Sequence, residues 1–335
     1  MPNNSAAIVT TLRDAGPMLE TFVSYHLKLG FAHLFLFFDD PADPDFARFA
    51  KHPNITALPH DAKLRQRWAD LPEFETYAGF IDREVMARQV LNAALGIEMA
   101  RQKNFGWLLH IDADELFFLP KRSLAEHLAA ARDQGAEAIS YRNFEAVPEK
   151  ADIRDPFREV SLFKLPVEIA PEPATEAGRA LLAQTPQIPP KRFHFYRNGK
   201  SAMRLDGPNL RPNGVHKFVN WSGETHEATA PDAFVLHYAC CGFEAFWRKY
   251  ATLGAFADQW LDQFDIRGTI GPLHLDSRDM IAGGDRDAAL AFYRRRIAME
   301  DPERVRSLLQ HRILTRVSRP KELLQTVSPF QPEET

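Results

Sequence analysis

The chain has 335 residues, of which 45% are hydrophobic and 26% are charged, and this composition excludes an intrinsically disordered protein. Its formal net charge of −4 excludes the overall basic field that non-specific nucleic-acid-binding proteins use. The two cysteines, Cys240 and Cys241, are adjacent. We therefore expect neither a disulfide framework nor a zinc knuckle, and we expect a reducing compartment.

The first 140 residues alternate between short apolar runs and amphipathic helices. We predict strands over residues 7–11, 33–38, 54–58, 106–111 and 138–141. Helices are predicted from Pro17 to Gly30, over residues 82–102, and from Ser123, which forms a capping box with Glu126, to about residue 133. This strand–helix–strand repetition with short links indicates βαβ units, and thus an α/β fold with a mostly parallel sheet flanked by helices.

After Phe144 the pattern changes to short β runs and then to helices. Strands are predicted over residues 159–165, 191–197, 201–205, 215–219 and 234–237. The segment 166–190 holds six prolines and is predicted to be a loop. Helices are predicted over residues 242–257 and 286–299, and in the basic stretch 304–319 as a solvated helix face. We divide the chain into a domain over 1–260, with halves 1–143 and 144–260, and a helical extension over 261–335.

The N-terminal residues 1–7 lack the basic and apolar regions of a signal peptide. No apolar run approaches the roughly 18 residues that a membrane span requires. We therefore expect a cytoplasmic protein without an integral membrane span. A peripheral association with a membrane is compatible with this expectation.

The sharpest motif lies in residues 107–115, where an apolar run is followed by Asp112, Asp114 and Glu115. Ligands of open α/β sheets bind at the carboxyl ends of the strands. Carboxylate oxygens suit Mg²⁺ or Mn²⁺, and a cation held by two or three protein groups keeps positions for phosphate oxygens. The motif therefore favours a site where a cation neutralises charge on a departing nucleoside diphosphate. The alternative is an Asp-x-Asp that only caps the next turn.

The chain resembles glycosyltransferases of the GT-A fold, and most closely the glycosyltransferase family 92 and family 2-like group. The matching stretches, in order, are residues 20–30, 33–40, 107–115, 214–216 and 237–249. They resemble the family's early helix with Glu20, His26 and Gly30, its second strand ending in aspartate, its W-x-x-x-x-D-x-D-E motif and its C-terminal histidine motifs. The likeness spans about residues 6–255. It departs from the family at residues 13–15, where relatives often have Asn-Glu.

The resemblance implies a nucleotide-sugar donor, with a UDP-sugar as the first expectation, and a carbohydrate or lipid-linked glycan as acceptor. By position, Thr10, Thr11 and Arg13 would lie near the nucleobase. Asp39 or Asp40 would accept hydrogen bonds from the base or the ribose, although both residues also suit the start of an Asp-Pro turn.

The same resemblance implies that Asp112 and Asp114 hold the metal together with a third, C-terminal ligand. His237 is our choice for that ligand because an apolar run ends at it, and His216 is the competitor. Neutral imidazole is a competent ligand of Mn²⁺ and is less suited to Mg²⁺. A histidine ligand would thus favour Mn²⁺, whereas a histidine buried for structural reasons is the alternative in both positions.

A nucleoside diphosphate also needs cationic donors, and an inverting transfer needs a base. The candidates for the cationic donors are Arg83, Arg88, Lys200 and Lys217, each of which also suits an ordinary surface charge. The carboxylates that would deprotonate the acceptor hydroxyl are Glu145 and Glu224, with Asp206 and Glu227 as alternatives. The stereochemistry of the transfer stays open.

Other classes of protein fit the motifs less well. Phosphatases with an aspartyl nucleophile usually carry Asp-x-Asp on their first strand. Nucleotidyltransferases usually have a glycine-rich, lysine-containing loop near the N-terminus, whereas residues 8–20 contain one glycine and no lysine. We therefore expect metal-dependent sugar transfer of the hexosyltransferase type. A non-catalytic nucleotide- or sugar-binding module on the same fold is the alternative, because a fold does not imply a function.

Overall fold

The computed structural model describes residues 3–222, 224–269 and 271–326. The chain divides into unit 1, Met1–Arg142, Asn198–Val235 and Leu323–Thr335, and unit 2, Asn143–Arg197 and Leu236–Glu322. The strands are β1 (Ala6–Leu12), β2 (His33–Phe38), β3 (Ile55–Pro59), β4 (Trp107–His110), β5 (Glu115–Phe118), β6 (Ala138–Ala146), β7 (Leu162–Lys164), β8 (Lys200–Arg204), β9 (Leu210–Asn213), β10 (Lys217–Asn220), β11 (Glu227–His237), β12 (Gln259–Trp260), β13 (Phe264–Asp265) and β14 (Leu314–Arg316). The helices are α1 (Met18–Leu29), α2 (Asp45–Phe49), α3 (Ala62–Ala69), α4 (Phe74–Tyr77), α5 (Val85–Gln102), α6 (Leu124–Asp133), α7 (Pro156–Glu159), α8 (Glu176–Ala183), α9 (Phe243–Leu253), α10 (Ile266–Thr269), α11 (Leu273–Ala282), α12 (Arg286–Arg296), α13 (Pro302–Gln310) and α14 (Arg319–Gln325).

Unit 1 is an α/β unit built on a mixed sheet, which confirms the predicted fold class. Its strand order is β3-β2-β1-β4-β8-β6. The strands β4, β1, β2 and β3 are parallel, whereas β8 is antiparallel to both β4 and β6. The parallel strands read as continuous apolar runs because both faces are covered: every residue of β1 and β2 is buried.

The long helix α5 covers the parallel strands at close range. A Cβ atom added to Gly96 would lie 2.8 Å from Cγ2 of Val9 in β1, so only glycine permits this approach of helix to strand. Val9, Phe35, Leu91 and Leu95 belong to the apolar core that results. The sequence predicts this helix from residue 82, but it begins at Val85, because Glu84 has an extended backbone.

The helix ends predicted from cap residues are confirmed. Gly30 follows α1 with φ +113°, and its N–H donates to the carbonyl of Leu27 at 3.2 Å. Ser123 and Glu126 form the predicted capping box at the start of α6. These ends are set by contacts between near neighbours in the chain, which is why the sequence alone predicts them.

Unit 2 contains β7, β14 and the last residues of β6, with α9, α11 and α12 around a separate core. β7 pairs antiparallel with β14 and with the end of β6. The core packs Phe246 and Tyr250 of α9 against Phe292 and Tyr293 of α12. Cys240 and Cys241 are buried in this unit and form no disulfide bond.

Three predictions in unit 2 are wrong. Residues 191–197 do not form a strand: Arg192 has φ +72°, and the backbone N–H groups of His194 and Phe195 donate to the carboxylate of Glu145 instead of to a neighbouring strand. The segment 166–190 is not a continuous loop, because the Thr175 side chain accepts a hydrogen bond from the N–H of Gly178 and begins α8.

The third correction concerns the basic stretch 304–319. It is not one helix, since α13 is followed by β14 and then by α14. Arg312 has φ +56°, which is incompatible with a continuing right-handed helix.

In the described part of the chain, no helix combines the length and the apolar character needed to cross a bilayer.

Two adjacent side chains of α1 hold the backbone of β5. The Tyr25 hydroxyl donates to the Phe117 carbonyl at 2.9 Å, and the Phe117 N–H donates to Nε2 of His26 at 3.1 Å. Nδ1 of His26 lies 2.8 Å from the Phe22 carbonyl, so Nδ1 carries the proton and Nε2 accepts. Burial lowers the pKa of His26 to about 3, although the hydrogen bond to the Phe22 carbonyl acts to raise it. His26 is therefore a neutral structural group that fixes the strand following the acidic motif.

The neutral state of His26 predicts a pH dependence of stability. Between its folded pKa of about 3 and the unfolded value near 6.5, the unfolded chain binds the additional proton, so this group's contribution is complete above pH 6.5 and is lost as the pH falls. As the pH is lowered from 6 to 4, we expect the unfolding free energy of the wild type to fall more steeply than that of His26→Gln. The difference between the two slopes should be about 1 kcal/mol per pH unit. Urea titrations followed by circular dichroism measure both slopes.

The matched control is Tyr25→Phe, which removes the other hydrogen bond to Phe117 without removing a titrating group. Its slope should equal that of the wild type. Equal slopes for the wild type and His26→Gln would contradict the neutral assignment of His26.

Candidate functional site

Several of the predicted site residues follow the carboxyl ends of parallel strands, and His60 joins them. Arg13 follows β1, Asp39 follows β2, His60 follows β3 and the acidic turn with Asp112 follows β4. Because these strands are parallel neighbours, their carboxyl ends lie at one edge of the sheet. That edge is where open α/β sheets bind ligands.

The acidic turn joins β4 to β5 and is closed by its own hydrogen bonds. The Asp112 N–H donates to Oε2 of Glu115 at 2.8 Å, and the Glu115 N–H donates to the Asp112 carbonyl at 3.1 Å. Asp112 and Asp114 are partly exposed, whereas Glu115 is completely buried as the first residue of β5. The turn thus presents two carboxylates towards solvent and keeps the third inside.

A buried lysine balances the charge of Asp112 in this turn. Nζ of Lys200, the first residue of β8, lies 2.6 Å from Oδ2 of Asp112 and 3.8 Å from Oε2 of Glu115. Its side chain has no exposed surface. Gln89 of α5 donates to the other Asp112 oxygen at 2.7 Å. Lys200, which the sequence predicts as a phosphate contact, is therefore already an ion-pair partner of the acidic turn.

The pKa values show how the charges of the turn are distributed. Burial acts to raise the pKa of Asp112, but the charge and the hydrogen bond of the Lys200 ammonium, together with His110, bring the pKa below its usual value. Burial acts to lower the pKa of Lys200, and Asp112 followed by Glu115 reverses this effect. Burial raises the pKa of Glu115 well above its usual value, although Lys200 opposes it. Asp112 and Lys200 thus form a charged pair, and the environment of Glu115 favours its protonated form.

A second ion-pair cluster surrounds Asp39. The guanidinium of Arg88 binds both Asp39 oxygens, with Nη2 at 2.8 Å from Oδ2, and its Nη1 donates to the Ile81 carbonyl at 2.6 Å. Nη1 of Arg13 lies 3.7 Å from Asp39, and Nδ1 of His60 lies 3.8 Å from it. Arg88 is therefore a partner of Asp39, and the half-exposed Arg13 is the cation of this cluster that faces solvent.

Of the other predicted nucleotide contacts, Thr11, Asp40 and Arg83 have local partners, whereas the buried hydroxyl of Thr10 has none among the described residues. Thr10 is fully buried within β1, and the Thr11 hydroxyl accepts a hydrogen bond from Asn92 at 2.9 Å. One oxygen of Asp40 accepts the N–H of Ala42 at 2.8 Å, which is the turn role that the sequence left open. The guanidinium of Arg83 lies 4.9 Å from the centre of the Phe80 ring. Their roles as nucleotide contacts stay predictions.

The predicted third metal ligand also stays a prediction. Nδ1 of His216 lies 2.8 Å from the Gly199 carbonyl. In unit 2, the ring of His237 packs against Tyr196, with ring centres 4.7 Å apart. Across residues 3–222, 224–269 and 271–326, no three or more His, Cys, Asp or Glu side chains form a group that could hold a metal ion. The partly exposed carboxylates of Asp112 and Asp114 are thus the protein groups on which a cation site in unit 1 would depend.

The two predicted bases differ in their surroundings. In unit 2, Glu145 is buried, lies 2.6 Å from Nζ of Lys164, and accepts backbone N–H groups on both oxygens. Burial acts to raise the pKa of Glu145, but Lys164 and His194 lower it below its usual value. This arrangement favours a structural role for Glu145. Glu224 is exposed in the segment that leads from β10 to β11 in unit 1.

Sequence reasoning missed the polar residues that support the site. Gln89 binds Asp112, Asn92 binds Thr11, and His60 lies beside Asp39. The signal for the first two is present in the sequence: Gln89 and Asn92, together with Arg88, are polar residues within the stretch 85–97 of α5, which is otherwise apolar. Polar groups at such positions require partners, and these lie on the neighbouring strand ends.

Comparisons with known proteins identify two similar plant proteins. The chain is similar to "Glycosyltransferase-like At2g41451" of Arabidopsis thaliana, with 27% identity over 343 aligned positions that cover 95% of this chain and 71% of that protein. It is also similar to "Glycosyltransferase-like At3g57200" of the same plant, with 25% identity over 338 positions, 95% of this chain and 62% of that protein. No family model matches the chain.

Similarity to solved structures is partial. A 4-diphosphocytidyl-2C-methyl-D-erythritol synthase of Anaerococcus prevotii overlaps 45% of this chain and 57% of its own, with a TM-score of 0.24 and 12% identity. A CMP:2-keto-3-deoxy-manno-octonic acid synthetase complexed with CTP overlaps 43% of this chain and 54% of its own, with a TM-score of 0.21 and 13% identity. At TM-scores this low, these overlaps support no inference about the chain.

The charge balance of the acidic turn predicts unequal effects of two substitutions. Lys200→Met leaves Asp112 charged and without its buried counter-ion, so we expect a loss of about 3 kcal/mol in the free energy of unfolding. Glu115→Gln replaces a carboxyl whose environment favours the protonated form, and should cost less than about 1 kcal/mol. Urea titrations of both variants and the wild type at pH 7 measure the difference. Equal losses would contradict the assignment of Asp112 and Lys200 as the charged pair.

Proposed function

We propose that the chain transfers a sugar from a nucleotide-sugar donor, a UDP-sugar in the first instance, to a hydroxyl group of a glycan or glycolipid acceptor. The observation that carries this proposal is the acidic turn at the carboxyl end of β4, with Asp112 and Asp114 at the edge of a parallel sheet. Two relatives named glycosyltransferase-like, which match 95% of this chain, support the same activity. The hexosyl class of the transferred sugar belongs to the proposal.

The cluster around Asp39 suits the nucleoside part of the donor. Arg88 holds the Asp39 carboxylate in place through two parallel hydrogen bonds. A fixed carboxylate accepts hydrogen bonds from ribose hydroxyls or from a base N–H. Arg13 adds a solvent-facing guanidinium that can bind a phosphate oxygen next to this position.

The acidic turn suits a divalent cation, Mn²⁺ or Mg²⁺, bound together with the donor. Asp112 and Asp114 offer hard oxygen ligands that are partly exposed, and a cation with two protein ligands keeps positions for phosphate oxygens and water. When bound, the cation would neutralise the charge that builds on the leaving diphosphate. Gln89 and Lys200 fix the orientation of Asp112, and Lys200 adds a positive charge at the same place.

An inverting transfer requires a base that removes the proton of the acceptor hydroxyl. Glu224 is the carboxylate that we propose for this role, because it is exposed to solvent in unit 1. Both oxygens of Glu145, in contrast, already accept hydrogen bonds within unit 2.

A specific observation favours a second candidate function, a non-catalytic nucleotide- or sugar-binding module. Both oxygens of Asp112 already accept hydrogen bonds, from Gln89 and from Lys200. Because the protein itself balances the charge of Asp112, the turn can bind a nucleotide without a cation and without turnover. The two functions differ in one measurable result: a module of this kind binds UDP but releases no UDP from a UDP-sugar.

Replacement of Asp114 tests the transferase directly. We expect Asp114→Asn to reduce the release of UDP from UDP-sugars, assayed with Mn²⁺ over a panel of UDP- and GDP-sugars, by about 100-fold or more. The loss follows because the amide is a weaker cation ligand than the carboxylate it replaces. Circular dichroism should show an unchanged fold, since Asp114 is partly exposed.

The control variant is Asp133→Asn, which makes the same chemical change at an exposed position at the end of α6. It should retain wild-type activity. Full activity in Asp114→Asn would refute the role of the turn. UDP binding by the wild type without release of nucleotide from any sugar of the panel would establish the binding module instead.

Chelation tests the cation separately. We expect EDTA to abolish UDP release and Mn²⁺ to restore it, because Lys200 alone supplies one positive charge to the turn and a departing diphosphate requires more. The measurement is the rate of UDP release before and after chelation and metal return. An unchanged rate in EDTA would contradict the proposed role of the cation. Lys200 would then be the positive charge that acts on the donor.

A further inference from the structure

Unit 2 contains a cavity of about 700 Å³ that the proposed donor site does not use. Its wall is formed by two stretches of unit 2, residues 172–194 and 271–296. The charged side chains in the wall are those of Glu172, Arg192, Arg295 and Arg296. A volume of this size accommodates a small organic ligand.

Three guanidinium groups in this wall face one carboxylate, so the cavity carries an excess of positive charge. His194, which also lines it, adds no charge at neutral pH, because burial followed by Lys164 lowers its pKa to about 3. The rest of the wall is mainly apolar and includes Leu182, Ile188, Leu273, Pro186, Pro189 and Pro190. The lining thus combines cationic donors with apolar surface.

Arg192 is the most unusual of these groups. It is only 1% exposed, and its Nη2 donates to the Ala170 carbonyl at 3.1 Å and to Glu172 at 3.4 Å. Its Nε and Nη1 are buried without a hydrogen-bond partner among the described residues. A buried, unsatisfied donor is costly, and a charged one more so. The protein therefore maintains cationic donors in the cavity wall that its own atoms do not satisfy.

The backbone at Arg192 supports the same conclusion. Its φ of +72° lies in the left-handed region, which non-glycine residues rarely adopt. A hydrogen bond from its N–H to the Pro189 carbonyl at 2.7 Å holds this conformation. Strained residues of this kind tend to occur at binding and catalytic sites.

The two other arginines belong to the last turn of α12. The exposed Arg295 lies with its guanidinium 6.0 Å from the centre of the Phe292 ring, and the partly exposed Arg296 lies 3.7 Å from Asp276. Arg294, their neighbour on the same turn, pairs with Glu300 and does not line the cavity. The favourable effect of cations on the helix C-terminus applies to all three arginines, so it does not account for the placement of two of them in the wall.

We propose that this cavity binds an organic phosphate, with the phosphate group at Arg192, Arg295 and Arg296 and the organic part against the apolar wall. Guanidinium groups bind phosphate oxygens in pairs of parallel hydrogen bonds, and a dianionic phosphate matches several arginines better than a single carboxylate does. Arg192 lines the cavity, so a small movement of its side chain on binding would bring its buried donors to the phosphate oxygens. A sugar phosphate and a lipid phosphate share this chemistry. The inference does not depend on the sugar-transfer activity of unit 1.

Isothermal titration calorimetry of the full chain with inorganic phosphate tests the proposal. We expect saturable binding that Arg295→Gln weakens by about tenfold, the effect of losing one charge-assisted hydrogen-bonding group. Arg192→Gln should weaken binding at least as much, and Arg295→Gln keeps the test decisive if the buried substitution impairs folding.

Arg294→Gln is the matched control on the same helical turn and should bind as the wild type does. Because Arg295 belongs to unit 2, a loss of binding in Arg295→Gln separates this cavity from the proposed donor site in unit 1.

Two further titrations identify the source of the phosphate. Tighter binding of glucose 1-phosphate than of octyl phosphate would assign a sugar phosphate, and the reverse order would assign a phosphate on an alkyl chain. Either result supports the cavity as an organic-phosphate site if Arg295→Gln weakens the binding of the preferred compound. An absence of saturable binding, or an equal loss in Arg294→Gln and Arg295→Gln, would overturn the proposal.

Discussion

The ion pair between Lys200 and Asp112 is the constraint on which the proposed donor site depends. Two partly exposed carboxylates and a buried third one gather at the end of β4, and such a group is unstable without a counter-charge. The antiparallel pairing of β8 with β4 supplies it, because His110 lies opposite Ser201 and Lys200 therefore begins β8 beside the acidic turn. The change from parallel to antiparallel pairing in the sheet of unit 1 thus places a positive charge where the ligand-binding edge needs one.

The sequence predicts the features that depend on near neighbours or on patterning. The apolar runs of β1 and β2, the left-handed Gly30 and the capping box of Ser123 are all local, and each is confirmed. Residues 191–197 mislead because they alternate like a strand, yet the carboxylate of Glu145, distant in sequence, takes the N–H groups of His194 and Phe195. A single sequence carries no information on such a partner.

The same limit applies to the site. The acidic residues of the turn are visible in the sequence as a motif, and their place at a strand end follows from the apolar run before them. Lys200 is 88 residues from Asp112, and Arg88 is 49 residues from Asp39, so neither ion pair has a sequence signature. Among the described residues of unit 1, the buried cations Arg88 and Lys200 are matched by carboxylates. Arg192 of unit 2 keeps two nitrogens for which the described residues offer no partner, and this difference is what points to a ligand in its cavity.

We propose that the acidic turn receives the diphosphate of the donor together with a divalent cation. A crystal structure of the protein grown with UDP and Mn²⁺ tests this proposal, because manganese is located by its anomalous scattering independently of the protein atoms. We expect a manganese peak within coordination distance of the Asp112 or Asp114 carboxylate, with the UDP phosphates beside it and the ribose towards Asp39. UDP bound at that edge without manganese, or bound elsewhere on the chain, would contradict it.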